Sequence, residues 1–257
     1  MILFSIPVDM FFAKFGPADV PAILGLAQQR HVAFGISDGA VILWASDNEQ
    51  AQPPVFSHRL FMSTNGLGGS ARLAVFGMNP SEAAYFFGPH SDPTAREILS
   101  NAEKLTYPVW EGDALTQQSV DSVVLVNACA FKHTDSSTVA ENRENDPNEQ
   151  EYQEKIAEFN AAVAAHVMHT ADVVLSMHGS PKNNPFVNEG VQRLFAALPE
   201  DMDYRKVIGV AVEDALRYTA HSRNLHAAKK HRAGDYSPTR PVVNGDLYYF
   251  EVQVAED

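Results

Sequence analysis

The chain has 257 residues, and 45% of them are hydrophobic. Its formal net charge is −13, and it has one cysteine, Cys129. This length suits one large domain or two small ones, and no apolar run reaches the ~18–20 residues of a membrane helix. The single cysteine excludes an internal disulfide and a four-cysteine iron–sulfur cluster, and we expect a cytoplasmic protein. The negative net charge, taken alone, argues against nucleic-acid binding.

The first 70 residues are predicted to form an extension that precedes the main fold. Residues 1–12 are apolar without a basic segment, which indicates a packed strand or helix and not a signal peptide. Residues 31–46 predict a β-hairpin, because alternating apolar residues flank Ser37-Asp38-Gly39. A short strand at 57–63 and a glycine-rich loop at 64–70 complete this extension.

Four short β-branched runs predict strands that are buried on both faces of a parallel sheet. They lie at 73–78, 122–128, 172–177 and 206–212. Helical patterns alternate with them, and an edge strand is predicted at the end of the chain. The helices are expected at 92–105, with Asp92 as N-cap, at 147–170 and at 185–198, and the edge strand at 246–254. The order predicts a three-layer α/β/α sandwich with a central, mainly parallel four-stranded sheet, in a single domain 1–257 with its core at 71–232.

Polar residues follow these strands where a ligand would bind, beyond the carboxyl ends of a parallel sheet. Asn79-Pro80-Ser81 follows the first strand, Asn127 ends the second, and "HGSP", which begins at His178, ends the third. A basic stretch at 217–240, with six bases and one acid, follows the fourth. It is either a solvated surface or a phosphate-contacting patch on an acidic body. The His and carboxylate spacings match no metal site.

These strand-end residues resemble the uracil-DNA glycosylase superfamily. Gly77-Met78-Asn79-Pro80-Ser81 is similar to its first motif, G-Q-D-P-Y or G-I-N-P-G, and "VVLVNA" with Asn127 to its L-L-N-A-like segment. "MHGS" stands in place of a W-G-S-like turn, and "TAHSRNL" (219–225) is the nearest match to the final histidine motif. The opening N-P-S-x-A also resembles an uncharacterised bacterial family with that signature. The combined resemblance covers roughly residues 57–232.

The resemblance implies a role for each matching residue, without a metal or cofactor. Asn79 and His221 would be catalytic, Asn79 by orienting a water and His221 by stabilising the departing base. The base would be bound by Ser81, Tyr85, Phe86, Asn127 and His178. DNA phosphates would be contacted by Ser180, Arg223, Lys229, Lys230 and Arg232.

Structural roles for the same residues stay open at this point. Asn79 is also a good helix N-cap, and Asn127 can be a buried amide that is bonded to the backbone. Tyr85 and Phe86 can be core residues, and either histidine can be structural.

The sequence therefore predicts a monofunctional DNA glycosylase that everts a nucleotide and hydrolyses its N-glycosidic bond. The alternatives are a non-catalytic module that binds a nucleotide or modified base, and a hydrolase of free nucleosides or nucleotides. In uracil-specific members of the superfamily a tyrosine occupies the position of Ser81 and blocks substituents on carbon 5 of the pyrimidine. The serine predicts a bulky, polar 5-modified pyrimidine, such as the hydroxymethylated or glycosylated cytosine of some bacteriophage genomes. We expect a monomer that acts on DNA in antiviral defence and has no membrane partner.

Overall fold

The structure is a computed structural model. It describes residues 2–28, 31–48, 50–133, 150–182, 184–210, 219 and 236–253. Predicted functional residues His221, Arg223, Lys229, Lys230 and Arg232 lie outside these ranges, as do residues 147–149 of the predicted long helix and 211–212 of the fourth predicted strand. No helix in the described ranges is long and apolar enough to cross a membrane.

The described residues form eleven strands and five α-helices. The strands are β1 (Ile2–Pro7), β2 (Val32–Ser37), β3 (Ala40–Ala45), β4 (His58–Thr64), β5 (Ala71–Gly77), β6 (Thr106–Glu111), β7 (Ala114–Asn127), β8 (Val173–Met177), β9 (Val207–Gly209), β10 (Ser237–Asn244) and β11 (Leu247–Val252). The helices are α1 (Val8–Lys14), α2 (Val20–Gly25), α3 (Pro93–Lys104), α4 (Gln150–Thr170) and α5 (Pro185–Ala197).

All the strands belong to one mixed sheet, which confirms the α/β class. Its order is β1-β3-β2-β4-β7-β5-β8-β9-β10-β11, and β6 pairs with β7 to one side of this path. The pairs β5–β7, β5–β8 and β8–β9 are parallel. The other seven strand pairs of the described chain are antiparallel.

The prediction of a mainly parallel four-stranded sheet therefore needs correction, because the sheet is larger and mostly antiparallel. The four predicted strands do lie side by side, in the order β7-β5-β8-β9. However, β4 continues the sheet on one side of them and β10 on the other, both antiparallel. The predicted N-terminal extension supplies β1 to β4, so its hairpin is part of the same sheet.

Two local predictions are confirmed in detail. The turn between β2 and β3 has Asp38 at φ +48° and Gly39 at φ +71°, the left-handed pair that a two-residue hairpin turn requires. Helix α3 begins after Asp92, whose side chain accepts a hydrogen bond from the Ala95 N–H, and Pro93 occupies its first turn.

Two apolar cores cover opposite faces of the sheet. Alternate residues of β5 point to opposite sides: Ala74 and Phe76 belong to the core under α4 and α5, whereas Leu73 and Val75 pack toward α3. The first core also contains apolar residues of β1 to β4 and of α1 and α2. Helices on both faces leave the carboxyl ends of the parallel strands as the edge at which the predicted motifs meet.

Candidate functional site

The ends of β5, β7 and β8 lie beside one another at one edge of the sheet. Gly77, the last residue of β5, stands in register with Asn127 on β7 and with Met177 on β8. The segment after β5 also pairs with the segment after β7, through hydrogen bonds from Ala128 N to Gly77 O and from Cys129 N to Met78 O. The structure thus brings together three of the motifs that the sequence singled out.

The Asn79 side chain is held through its nitrogen. Its Nδ2 donates hydrogen bonds to Pro80 O at 3.1 Å and to His133 O at 2.8 Å. Its carbonyl oxygen accepts no hydrogen bond from any described residue, and the side chain is half-buried. No helix begins at this point, since the next one starts at Pro93 and is capped by Asp92. The alternative role as an N-cap therefore does not apply, and Oδ1 is left to accept a hydrogen bond from a water or ligand.

The Asn127 side chain is buried, with 2% of its surface exposed, beside the end of β5. Its Nδ2 has no hydrogen-bond partner in the described part of the chain, so the backbone bond considered from sequence is not formed by this donor. A Cβ atom at Gly77 would lie 2.7 Å from Asn127 Oδ1, so a side chain at position 77 would clash with this amide. An unpaired buried amide is costly and is usually explained by a ligand or water.

Asn160 on α4 fixes the end of β7 from the other face of the sheet. It is 2% exposed, and its Nδ2 donates to Asn127 O at 2.9 Å and to Ala128 O at 3.3 Å. These bonds hold the main chain on both sides of the peptide that follows Asn127. The sequence did not single out Asn160, because a polar residue on a helix gives no indication of the strand that it contacts.

His178 and Ser180, which follow β8, have partners in the main chain. The His178 side chain is fully buried, and its Nε2 accepts a hydrogen bond from Phe250 N on β11 at 3.2 Å. Its ring packs against Phe76 and Phe250. Ser180 is half-buried, and its hydroxyl accepts a 3.3 Å hydrogen bond from the Lys182 N–H. The contacts of His178 favour its structural role over contact with a base.

The aromatic residues after the first motif are mostly in the cores. Tyr85 and Phe86 are each 1% exposed, Tyr85 in a small cluster with a hydrogen bond from Trp44 Nε1 to its hydroxyl, and Phe86 in the core under α3. Phe87 is half-buried, stacks on Tyr85 and meets the His31 ring edge-on at 4.2 Å. Ser81 is also half-buried, and its hydroxyl forms no hydrogen bond with the described residues. Of these three aromatics, Phe87 is the one with an accessible part of its ring.

Two buried cations support the loop that carries the first motif. Arg59, on β4, is 1% exposed and donates from Nη1 to Ala83 O. Lys132 is 9% exposed and forms a 3.3 Å ion pair with Glu82. Burial lowers the pKa of Arg59 to about 10, against the opposing attraction of Asp92 and Glu82, and burial also lowers the pKa of Lys132. An arginine inside the apolar strand "SHRLFMS" was the one sequence signal for this arrangement.

The same loop forms one wall of a cleft of about 310 Å³. The cleft is lined by Gln52, Pro53, Pro54, Val55, Glu82, Ala83, Ala84, Pro89, His90, Ser91, Asp92 and Lys132. Among the described residues, no group of three or more His, Cys, Asp or Glu side chains is placed to hold a metal ion.

Comparisons with protein-family models, curated proteins and solved structures found no match for this chain.

Proposed function

We propose that the protein is a monofunctional DNA glycosylase that hydrolyses the N-glycosidic bond of an everted, 5-substituted pyrimidine and leaves an abasic site. The observation that carries this proposal is the pair of amides at adjacent strand ends, Asn79 with an unused acceptor and Asn127 with an unused buried donor. One amide would orient the attacking water and the other would bind the base.

Asn79 suits a reaction in which water needs orientation more than deprotonation. An amide cannot remove a proton, but its oxygen can accept a hydrogen bond from a water and face the positive charge that develops on the sugar. This suffices where the transition state resembles an oxocarbenium ion and the base leaves as an anion. Because both Asn79 donors are bonded to main-chain oxygens, the side chain is oriented before substrate binds.

Asn127 suits recognition of a pyrimidine edge. Its Nδ2 can donate to a carbonyl oxygen or ring nitrogen of the base, and the base would supply the hydrogen bond that the protein does not. A site with a buried polar group of this kind discriminates strongly against molecules that leave the group unpaired. Of the neighbouring aromatics, we assign stacking on the base to Phe87, since Tyr85 and Phe86 are enclosed.

The four parallel strands β7-β5-β8-β9, with helices on both faces, support the proposal that this part of the sheet is a uracil-DNA glycosylase-like core. In the proposal, His221 stabilises the departing base, and Arg223, Lys229, Lys230 and Arg232 contact phosphates near the extruded nucleotide. Action on modified bases alone would spare unmodified host DNA, as antiviral defence requires.

A hydrolase of free nucleosides or nucleotides is the second candidate, and the net charge of −13 favours it. The two candidates differ in their response to salt. Binding of DNA releases counterions and weakens steeply as the salt concentration rises, whereas binding of a neutral nucleoside does not.

The test is incubation of the purified protein with oligonucleotides that each contain one modified base, followed by alkali. Alkali cleaves the strand at an abasic site, so a cleaved product identifies both the base and its position. We expect cleavage at 5-substituted pyrimidines carrying polar groups and none at thymine or cytosine. A parallel preparation of Asn79→Ala controls for contaminating glycosylases. Absence of abasic sites in every oligonucleotide, single- and double-stranded, would overturn the proposal.

A further inference from the structure

The cleft beside the first motif contains polar atoms that the protein leaves without partners. His90 Nε2 and Asp92 Oδ2 are buried and form no hydrogen bond within the described chain. Asp92 uses its other oxygen, Oδ1, to cap α3 at 2.6 Å from Ala95 N. Arg59 Nε, in the layer under this loop, is also unpaired. Buried polar atoms in native proteins are almost always satisfied, so three in one region point to a missing ligand or to bound water.

The charges around the cleft exclude a strongly ionic ligand. Glu82 and Asp92 supply two carboxylates, and Lys132 and the underlying Arg59 supply two cations, so the formal charges of these four groups cancel. An anion would meet the carboxylates, and a cation would meet the ammonium and guanidinium groups. The cleft contains both hydrogen-bond acceptors and donors, and a hydroxyl group of a ligand can bond to either kind.

The size and the apolar part of the lining narrow the ligand further. About 310 Å³ lies at the lower end of the ~300–1,000 Å³ range of small-molecule pockets, which suits one sugar-sized ring. Three prolines, Pro53, Pro54 and Pro89, together with Ala83 and Ala84, offer the apolar surface that the C–H groups of such a ring would contact. A neutral ring with several hydroxyl groups therefore matches the size, the charge balance and the polar atoms together.

The cleft adjoins the proposed catalytic amide through consecutive residues. Lys132 lies in its lining, and the next residue, His133, accepts the hydrogen bond from Asn79 Nδ2. In the segment that follows β5, Glu82 of the lining is three residues from Asn79. The cleft is therefore close along the chain to both Asn79 and its hydrogen-bond partner His133.

We propose that this cleft is the subsite for the substituent on the base, and that the substituent is a neutral, hydroxylated ring the size of a monosaccharide. The claim that the cleft binds a substituent of the base rests on the proposed function, whereas the claim that the cleft binds a sugar does not. The loop is prepared for binding: Ala84 N and Tyr85 N both donate to His90 O, and Ser91 Oγ donates to Phe86 O at 2.8 Å. Little ordering is then required when the ligand enters.

Titration of the full chain with methyl glucoside tests the subsite without any catalytic step. Binding is measured by the change in backbone amide chemical shifts in NMR spectra. We expect saturable shifts confined to the non-proline residues of 52–55, 82–84 and 89–92 and to Lys132. Asp92→Asn keeps an acceptor for the α3 cap but removes the carboxylate charge, so a charge-assisted hydrogen bond from a ligand hydroxyl becomes a weaker neutral one and affinity should fall ~10-fold. His90→Phe keeps a ring against Tyr85 and should weaken binding similarly. Asp113→Asn, at an exposed turn before β7, is the control and should bind as the unaltered protein does.

Absence of saturable shifts, or equal affinity in Asp92→Asn and the control, would overturn the subsite. With DNA, the prediction is that Asp92→Asn lowers excision of a base carrying a sugar while excision of the same base with a hydroxymethyl group is retained. Sugar binding without excision of any base would refute the glycosylase proposal and this assignment to its substrate, leaving a carbohydrate site. Excision without sugar binding would refute the subsite alone.

Discussion

At the scale of single residues, Asn79 and Asn127 differ in what holds them. Asn79 is fixed by two hydrogen bonds to main-chain oxygens, whereas the Asn127 amide nitrogen is buried without a partner. The first arrangement orients a group for chemistry at little cost in stability. The second sacrifices stability for a group that a ligand can satisfy. Substitution of Asn79 should therefore lower activity with little change in stability, whereas an apolar residue at Asn127 should lower activity and raise stability.

Asn79→Ala should lower the rate of base excision by at least ~100-fold with little loss of DNA binding, because the oxygen acts mainly in the transition state. Asn79→Asp should retain only part of the activity. A carboxylate can orient water, but it cannot donate to Pro80 O and His133 O and would face both oxygens. Single-turnover rates and a separate DNA-binding assay measure the two effects. Unchanged turnover in Asn79→Ala would remove the reaction from this end of β5.

Asn127→Leu should abolish excision and yet stabilise the protein. The substitution replaces an unsatisfied buried amide by an apolar group of similar shape, which removes a penalty of ~1–3 kcal/mol. A melting temperature higher by ~2–4 °C for each kcal/mol is expected for a chain of this size. Asn160→Leu is the control: this equally buried amide has no partner for Oδ1 among the described residues, but its Nδ2 donates two hydrogen bonds to the main chain, and their loss should lower the melting temperature. A lower melting temperature for Asn127→Leu would mean that its amide is satisfied in the folded protein.

At the scale of elements, α5 packs on the end of β7 through a glycine. A Cβ atom at Gly190 would lie 2.0 Å from Ala128 O, a backbone atom that cannot move alone. Gly190→Ala should therefore destabilise the protein by ~1–3 kcal/mol, although alanine is the better helix former. Gly25→Ala, at a helical glycine with nothing within 4 Å, should instead stabilise it by up to ~1 kcal/mol. Denaturant midpoints measure both variants, and shifts in the same direction would contradict the close packing of α5.

Elements with strong local signals could be predicted from sequence, and those that depend on distant partners could not. The α3 cap and the β2–β3 turn follow from the residues at those positions, Asp92 and Asp38-Gly39. Strands β6 and β10 were missed, because Pro108 and Pro241 lower the strand propensity of their runs. Both prolines are tolerated where the strand has a neighbour on one side only. The parallel or antiparallel pairing of the outer strands is decided by contacts between distant segments.

The candidate site divides in the same way. Asn79 and Asn127 could be predicted because a polar residue directly after a buried run marks a strand end, and parallel strand ends share an edge. The burial of Tyr85 and Phe86 could not, since an aromatic in a loop has the same local pattern whether it packs inside or faces a ligand. Arg59 and Lys132 became candidates only when tertiary burial brought them to one loop.

At the scale of the whole molecule, the first strands and helices share a core with the proposed catalytic region. The Phe34 ring stacks on Phe61 of β4, with centroids 5.6 Å apart, and Phe11 meets Phe159 of α4 edge-on at 5.3 Å. A chain that begins at residue 47 would expose Phe61, Phe159 and the edge of β4, so we expect it to lose cooperative unfolding. Phe34→Ala in the full chain should cost ~3–5 kcal/mol.

Thermal melts and near-ultraviolet circular dichroism measure the effect of this truncation. Removal of residues 1–3, which leaves Phe11 and Phe34 in place, is the control and should melt close to the full chain. If the chain from residue 47 keeps the full melting temperature, the N-terminal residues fold separately from the rest.

DNA binding by this molecule requires a local excess of positive charge, because the net charge of −13 repels phosphates. The stretch 217–240 supplies the candidates, and neutralising one side chain that binds a phosphate should flatten the logarithmic salt dependence of affinity by ~0.9. Changing Lys229, Lys230 and Arg232 together to glutamine should therefore weaken binding to all sequences and flatten the slope by up to ~3 units. The control changes Lys14, Lys104 and Lys155 to glutamine, which brings the net charge to the same −16, since −13 − 3 = −16. Because the two triple variants have the same net charge, they differ only in where the positive charges were removed. If both triple variants keep the original affinity and slope, the basic stretch is a solvated surface, and the hydrolase of free nucleosides becomes the better proposal.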